Sequence, residues 1–331
     1  MKLLILGLDA APKRILKNIP ALSRYDIQHM LAPVPLSGPS WTSIYTGLPA
    51  ETHGVVDVLG RKRIWKNIAS NNYADVVDRC MWSILERRGI KCALCNLPVA
   101  TPIIPDVATM HITGFPADPN KLAYPQELVA GLPLDYLEMC DLAHFGTYLG
   151  NDKVWYDDWP PLIDFRMDHS VSAVLDYVMR SSVAIAEQFV HSSRGADLGF
   201  LGFTFIDRLG HMYGLTEMMR NGCSAIITAI VDVLRYAYAD NVLIVSDHGF
   251  RNERDPDASL ALEYHESNGV IALFSNCEKF ALPDQRFTNT DVFPLVMQIF
   301  GVDEHPRASG LDDMDDVDEI VLDRLKGLGY L

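Results

Sequence analysis

The fold is decided by the stretch VLIVSDHG at residues 242–249, an apolar run that ends in two polar residues and a glycine. A continuous apolar run of this length is typical of a β-strand that is buried on both faces, as in a parallel sheet. Residues 2–9, KLLILGLD, repeat the pattern, since an apolar run again ends in an aspartate. The two stretches therefore predict central strands whose carboxyl ends carry polar side chains.

Strands and helices alternate outward from these two stretches. Further apolar runs of strand length lie at 91–97, 198–205 and 269–274. Amphipathic segments of helix type lie at 75–88, 171–191, 216–238 and 290–300. This alternation predicts an α/β fold with a mainly parallel central sheet flanked by helices on both faces. The 331 residues fit one domain, 1–331, that carries an insertion.

Residues from about 100 to 170 break the alternation, because they are rich in proline and aromatic residues and show no sustained period. They fit either a long irregular surface excursion or a small cap insertion over the mouth of a site. We favour the cap, since long loops without regular structure are often functional.

Composition and charge limit the class of protein. The formal net charge is -15, which argues against binding of a nucleic-acid duplex, because phosphate backbones need clustered Lys and Arg. The apolar run at the N-terminus stops at Asp9, and no segment has the ~18 to 20 apolar residues of a membrane span. The six cysteines are too sparse for a disulfide framework, and Cys92 and Cys95 fit core packing. We expect a cytoplasmic protein that does not bind membranes.

Six acidic and histidine residues lie at or near predicted strand ends, where open α/β sheets bind their ligands. They are Asp9, Asp207, His211, Asp247, His248 and His265. Three carboxylates and three imidazoles suit zinc and, with more oxygen ligands, manganese or magnesium. Each residue alone is weak evidence, since a lone histidine is more often structural than a ligand and an aspartate after a strand can cap the next helix. The set as a whole predicts a metal site.

Ser37 is the candidate nucleophile. It precedes Gly38 and Pro39, which suggest a turn, and a helix is predicted from Ser40 onward. Ser37 therefore lies beside a helix N-terminus, where free N–H groups favour a phosphoryl group. A serine hydroxyl becomes reactive when a metal ion lowers its pKa. The alternative is that Ser37 and Ser40 are turn and N-cap residues.

Together, these motifs resemble those of the alkaline phosphatase superfamily. The motifs are LILGLDA (4–10), SGPSWTSIYTGLPAETHGV (37–55), FIDRLGHMYG (205–214), VSDHGF (245–250) and YHESNGV (264–270). Residues 96–119 and 322–331 are similar to segments of its type I phosphodiesterase/nucleotide pyrophosphatase branch, especially small prokaryotic members.

The resemblance implies a role for each position. Asp207, His211 and His265 match the ligands of one divalent metal ion. The second ion matches Asp9, Asp247 and His248, with Ser37 touching it as the nucleophile, a position that the family commonly fills with Thr. His53 matches a position that is usually structural. Many nucleotide pyrophosphatases have Asn three residues after the nucleophile, and this chain departs from them with Ser40.

The implied activity is metal-dependent hydrolysis of a small phosphorylated substrate such as a nucleotide or nucleotide conjugate, through a Ser37 phospho-enzyme and two Zn²⁺, Mn²⁺ or Mg²⁺ ions. Zn²⁺ is the first expectation. The candidate substrate-binding residues are Ser40, Trp41, Arg61, Trp155, Tyr156 and Trp159. A phosphomonoesterase or phosphomutase is the main alternative. A sulfatase would need Arg where this chain has Trp41, and an inactive metal-binding protein would not need the nucleophile.

Overall fold

The structure, a computed structural model, describes residues 1–55, 64–65, 68–69, 72–115, 117, 121–133, 136, 170–251, 264–276 and 280–304. Its helices are α1 Lys13–Leu16, α2 Ser37–Thr46, α3 Ala50–His53, α4 Tyr73–Val76, α5 Met81–Glu86, α6 Val171–Ser192, α7 Phe205–Tyr213, α8 Glu217–Leu234 and α9 Val292–Phe300. Short 3-10 turns lie at Pro20–Leu22, Val77–Arg79, Gln126–Gly131, Arg235–Ala237 and Asn289–Asp291.

Nine of the described strands form one sheet in the order β13-β2-β12-β9-β1-β8-β5-β6-β7. They are β1 Leu3–Leu8, β2 Asp26–Leu31, β5 Cys92–Cys95, β6 Met110–Ile112, β7 Ala123–Tyr124, β8 Leu198–Phe203, β9 Asn241–Ser246, β12 Asn268–Ser275 and β13 Phe287–Thr288. Within this sheet β7 and β12 run against the other strands. The predicted mainly parallel α/β fold is therefore confirmed.

Two short hairpins complete the described strands. The strands β3 Ile64–Trp65 and β4 Ile68–Ala69 pair with each other. The strands β10 Gly249–Phe250 and β11 His265–Glu266 form an antiparallel pair directly after β9. This second hairpin matters for function, because it carries one of the candidate ligands.

Side chains of β1 enter two separate cores, one on each face of the sheet. Leu4, Leu6 and Leu8 pack with residues of α6 and α8, whereas Leu3 and Ile5 pack with residues of α2, α5 and α9. This alternation is expected for a strand buried on both faces. Helices therefore cover both sides of the sheet, as predicted. None of the helices in the described part of the chain combines the length and the apolar character that crossing a membrane requires.

The structure corrects the single helix predicted over 75–88. The segment is instead α4, a 3-10 turn and α5, and Cys80 between them has an extended backbone. The adjacent β-branched residues Val76 and Val77 have low helix propensity, which favours a break at this point.

Two strands of the main sheet lie within the segment from about 100 to 170 that is expected to form a cap. Met110–Ile112 and Ala123–Tyr124 extend one edge of the sheet. Residues 137–169 lie outside the described part of the chain.

Candidate active site

The inner cluster, defined as Asp9, Asp247 and His248, follows two neighbouring central strands. Parallel β1 and β9 pair in register up to Gly7 and Val245, so the residues after both strands emerge at the same edge. All three side chains are buried, and one ligand atom from each lies within 4.8 Å of the others. The Ala10 amide donates to Asp247 Oδ1 over 3.1 Å and links the two strand ends.

The outer cluster, defined as Asp207, His211 and His265, combines a helix with a hairpin. Asp207 and His211 are four residues apart on α7 and therefore share one face of the helix. His265 on β11 places Nε2 3.0 Å from Asp207 Oδ1 and 3.0 Å from His211 Nε2. The Asp207 side chain is 18% exposed, so this cluster faces solvent more than the inner one does.

The two clusters form one site. The imidazoles of His248 and His265 stack with 4.0 Å between ring centroids. Ligand atoms of Asp207, His248 and His265 also lie within 4.8 Å of one another, so His248 is within reach of both clusters.

Backbone carbonyls fix the orientation of two of the histidines. The Nδ1 of His265 is 2.8 Å from the Pro35 carbonyl, and the Nδ1 of His248 is 3.0 Å from the Gly249 carbonyl. A carbonyl only accepts, so each Nδ1 carries the proton in the neutral ring, and each Nε2 presents a lone pair. In the neutral rings these lone pairs face the carboxylates, which is the arrangement of a metal-ligating histidine held by its second nitrogen. In its protonated form, His265 instead donates from Nε2 to Asp207 Oδ1.

In the inner cluster, burial shifts each pKa in the direction that favours the uncharged form of the side chain. It raises the pKa of Asp9, to which the charge of Asp247 adds, and it raises the pKa of Asp247 as well. Burial also lowers the pKa of His248 to about 3. The inner cluster therefore brings together groups whose charges are costly without a compensating cation.

In the outer cluster, charge interactions and hydrogen bonds outweigh the effect of burial on the pKa values. Burial acts to raise the pKa of Asp207, but the charge of His211 and hydrogen bonds from both histidines outweigh it and lower that pKa. Burial acts to lower the pKa of His265, yet the hydrogen bond and charge of Asp207 raise it.

The donor set fits divalent cations. Three carboxylates converge with imidazole nitrogens whose lone pairs point inward, and these are the ligand types of zinc sites. Asp247 Oδ2 is buried without a hydrogen-bond donor among the described residues. A buried carboxylate oxygen normally has a donor or a cation, so a metal ion would satisfy it.

Ser37 lies at the meeting point of the strands and the ligands. It is the first residue of α2, so the helix begins three residues earlier than the sequence predicts. Its hydroxyl donates to Asp9 Oδ1 over 3.3 Å and lies 3.5 Å from His248 Nε2. The amides of the first turn of a helix have no intrahelical acceptor, so they favour an anion at this position.

Ser40 and Trp41 are the two substrate-binding candidates that the structure describes. Both side chains are almost completely buried, and the Ser40 hydroxyl donates to the Val34 carbonyl over 2.6 Å. The Trp41 indole donates to Asp9 Oδ2 over 3.2 Å, so it orients a candidate ligand. A Cβ at Gly7 would lie 2.8 Å from the Trp41 ring, and glycine therefore permits this close packing.

The other four substrate-binding candidates, Arg61, Trp155, Tyr156 and Trp159, lie outside the described residues. His53 is placed in a structural position. Its Nδ1 accepts from the Val55 amide over 3.0 Å, and its Nε2 lies 3.2 Å from the Pro39 carbonyl. It thereby ties α3 to the first turn of α2.

Sequence reasoning missed two supports of the site. Ser246 Oγ accepts from the Ala11 amide over 2.7 Å and donates to the His248 carbonyl over 2.7 Å. The Arg14 guanidinium donates to the Phe250 carbonyl and pairs with Glu266 at 3.5 Å, which holds α1 against the hairpin of His265. Ser246 could have been found as the polar end of an apolar run, but Arg14 carries no comparable signal.

Comparison with solved structures finds proteins of similar fold at low sequence identity. Human ectonucleotide pyrophosphatase/phosphodiesterase 5 has a similar fold, with a TM-score of 0.54 and 13% identity over 96% of this chain and 99% of that chain. The murine protein of that name, as an inactive variant in complex with AMP, has a TM-score of 0.51 and 12% identity over 93% of this chain and 96% of that chain. Alkaline phosphatase from the Antarctic bacterium TAB5 has a TM-score of 0.48 and 12% identity over 92% of this chain and 98% of that chain.

A search of curated protein sequences finds no significant match. The sequence model of the family described as type I phosphodiesterase / nucleotide pyrophosphatase matches residues 3–308. This match spans both ligand clusters and Ser37. The chain therefore belongs to the type I phosphodiesterase/nucleotide pyrophosphatase family, and it is a phosphoric ester hydrolase.

Proposed function

We propose that this chain hydrolyses phosphodiesters, including nucleotide conjugates, through a phosphoserine at Ser37 and with two divalent metal ions. The observation that carries the proposal is the position of the Ser37 hydroxyl, 3.3 Å from Asp9 Oδ1 and 3.5 Å from His248 Nε2 at the start of α2. Few places in a fold offer a hydroxyl, metal-type ligands and free helix amides together.

The two clusters divide the proposed ligands. The inner cluster, next to Ser37, would hold one ion, and the outer cluster would hold the other. When bound, the two cations would lower the pKa of a hydroxyl or water and stabilise negative charge on phosphoryl oxygens. Zn²⁺ suits the mixture of imidazole and carboxylate ligands best, and Mn²⁺ or Mg²⁺ are the alternatives.

In the first displacement, Ser37 Oγ attacks phosphorus. A bond from Oγ to phosphorus forms while the bond from phosphorus to the leaving ester oxygen breaks. The proton lost by the hydroxyl balances the proton gained by the leaving oxygen, which departs as an alcohol. Asp9 accepts the hydrogen bond of the hydroxyl and so aims it in the resting site. The first-turn amides of α2 favour the phosphoryl oxygens, and positioning with charge stabilisation supplies most of the catalysis of such transfers.

In the second displacement, water hydrolyses the phosphoserine and Ser37 Oγ leaves. Solvent reaches the site from the side of the outer cluster, because Asp207 is its more exposed carboxylate. Asp207 and His265, whose Oδ1 and Nε2 atoms lie 3.0 Å apart, would hold the outer ion together with His211, and that ion would lower the pKa of the incoming water. The reaction releases a phosphomonoester and returns the free hydroxyl.

Trp41 supports a preference for diesters. A monoester dianion carries one more charge than a diester and needs a further cationic donor. At position 41 the chain has a buried indole that donates to Asp9 instead of a cation. The AMP complex of the murine neighbour supports a nucleotide-type substrate. Trp155, Tyr156 and Trp159 remain our candidates for stacking on a base.

The nucleophile is tested with Ser37→Ala. We expect turnover to fall by about two orders of magnitude or more, as is common when a covalent nucleophile is removed, while bound metal stays unchanged. Thr42→Ala is the matched control, since its hydroxyl in the same helix donates to the Gly38 carbonyl away from the ligands. Turnover in Ser37→Ala close to that of Thr42→Ala would exclude Ser37 as nucleophile.

The substrate class is tested by comparing kcat/KM for bis-p-nitrophenyl phosphate and p-nitrophenyl phosphate at equal metal loading. We expect the diester to be the better substrate, because its single charge needs no further cationic donor. A ratio below one would favour the phosphomonoesterase or phosphomutase alternative and leave the fold and the ligand clusters untouched.

A further inference from the structure

A second cavity lies at the end of the sheet opposite to the candidate active site. It has a volume of about 340 Å³ and is lined by residues near the starts of β1 and β9, including Leu4 and Val242. Leu6 and Ile244 also line the cavity and precede Asp9 and Asp247 by three residues along the same strands, which is ~10 Å at the usual rise per residue. The cavity is therefore separate from the catalytic clusters, and its volume falls in the ~300–1,000 Å³ range of small-molecule sites.

The interior of the cavity is apolar and aromatic. Side chains of β1 and β9 form its floor, and Tyr25 and Phe274 form a wall with 5.4 Å between their ring centroids. Flat apolar rings pack well against such a pair in offset or tilted geometry. This part of the cavity suits a planar ring.

Two arginines, Arg24 and Arg235, line the cavity. The guanidinium of Arg24 lies 4.5 Å from the centroid of the Phe274 ring, and no carboxylate of the described residues lies within salt-bridge distance of it. Arg235 also lines the cavity but pairs with Asp232 at 3.1 Å. Asp240 is the acidic residue of the lining. Arg24 is therefore the cation best placed to receive an anionic group.

Tyr25 and Tyr238 add two further features at the mouth. Burial raises the pKa of Tyr25, and the charges of Arg24 and Arg235 act in the opposite sense, so the phenol lies near both guanidinium groups. Tyr238 has φ +49° as the left-handed C-cap of the 3-10 turn Arg235–Ala237, and it is 79% exposed beside the cavity.

We propose that this cavity is a second binding site for a small organic anion that carries a flat apolar ring, such as an aromatic carboxylate. The ring enters between the apolar floor and the wall of Tyr25 and Phe274. The carboxylate meets the guanidinium of Arg24, which binds carboxylates through paired N–H groups. Nothing in this recognition uses Ser37 or the ligand clusters, so the site is independent of the proposed catalytic function.

The test uses 2-naphthoate and its neutral analogue 2-naphthalenemethanol, titrated into the metal-loaded protein at pH 7.5 by calorimetry. We expect the Kd of naphthoate to be at least about tenfold lower than that of the alcohol, since the alcohol lacks the charge that Arg24 receives. Excess inorganic phosphate, which competes for the catalytic site, should leave naphthoate binding unchanged. Displacement by phosphate would place naphthoate at the catalytic site and overturn the proposal.

Two variants locate the site. Arg24→Gln should remove the preference for naphthoate and leave binding of the alcohol unchanged. Arg180→Gln, an exposed arginine of α6 that pairs with Asp176, is the matched control and should keep the preference. Ala21→Phe should weaken both ligands, because Ala21 lines the cavity and a ring there fills it. Equal effects of Arg24→Gln and Arg180→Gln on the preference would overturn the proposal. So would the absence of naphthoate binding at about 1 mM, which corresponds to a weak ligand. Both outcomes can be measured even if Ala21→Phe fails to fold.

Discussion

The inner and outer clusters offer similar ligands but are built differently. Asp9, Asp247 and His248 follow two paired central strands, and backbone hydrogen bonds fix them in the interior. The outer ligands come from α7 and from a two-residue hairpin strand, and their contacts are mainly with one another. The sheet therefore fixes the inner cluster, whereas the outer cluster depends on mutual side-chain contacts.

Electrostatics separates the clusters further. Burial raises the pKa of Asp9 and Asp247, so their ionised forms reduce the stability of the metal-free fold. The pKa of Asp207 is lowered because its two histidines outweigh burial, so its ionised form stabilises the fold above the unfolded pKa of about 3.9. The inner cluster therefore lacks a positive charge to balance its carboxylates, whereas the histidines of the outer cluster partly balance the charge of Asp207.

The largest expected effect comes from neutralising one carboxylate in each cluster. Asp247→Asn and Asp207→Asn should each weaken binding of one metal ion by about 100-fold or more, since ligand loss exceeds the 10- to 100-fold cost of losing a supporting residue. When a chelator removes the metal at pH 7.5, the two substitutions should shift the melting temperature in opposite directions. Asp247→Asn removes a costly buried charge and should raise the melting temperature, while Asp207→Asn should lower it.

Elemental analysis and thermal unfolding with and without Zn²⁺ measure both effects. Asp176→Asn, an exposed residue that pairs with Arg180, is the control and should change neither property. Shifts of the same sign in both variants, measured without metal, would contradict the proposed difference between the clusters.

A smaller effect is expected from Trp41→Phe. The variant keeps a ring in the core but removes the N–H that donates to Asp9 Oδ2, so affinity for the inner ion should fall about tenfold. Competition with a chromophoric chelator measures this affinity. The measurement is made in an Asp207→Asn background, which weakens the outer site so that the inner ion is measured alone. Tyr45→Phe is the control, because its hydroxyl in the same helix donates to the Pro98 carbonyl. Equal affinities in the two variants would assign Trp41 a packing role alone.

The smallest expected effect comes from Arg14→Gln. This change loosens the hairpin of His265, and partly exposed ion pairs contribute less than about 1 kcal/mol, so affinity for the outer ion should fall only about threefold. The inner ion should be unaffected, and Arg180→Gln is the control. A larger loss at the inner site than at the outer site would show that Arg14 supports the strands instead of the hairpin.

Much of the sheet could be predicted because buried parallel strands are continuous apolar runs. Strand β2, DIQHML, was missed because its polar side chains give no such run, and of its residues Met30 is the buried one. The sequence also indicated which ligands gather at the strand ends, since sheet topology brings those ends together.

The finer roles could not be predicted from residue type. The helix of Ser37 turns Trp41 inward onto Asp9, and nothing in the motif indicates which face of that helix meets the sheet. The carbonyl of Pro35, which orients His265, has no sequence signature, because every residue carries a carbonyl.

The span of the inner cluster along the chain has a consequence for biosynthesis. The Ala10 amide and Asp247 Oδ1 are 237 residues apart in sequence, yet they meet at one bond. A nascent chain cannot assemble the inner cluster until β9 has left the ribosome and paired with β1, since non-local contacts form slowly. Binding of the proposed inner ion would therefore report that these two strands, distant in sequence, have paired.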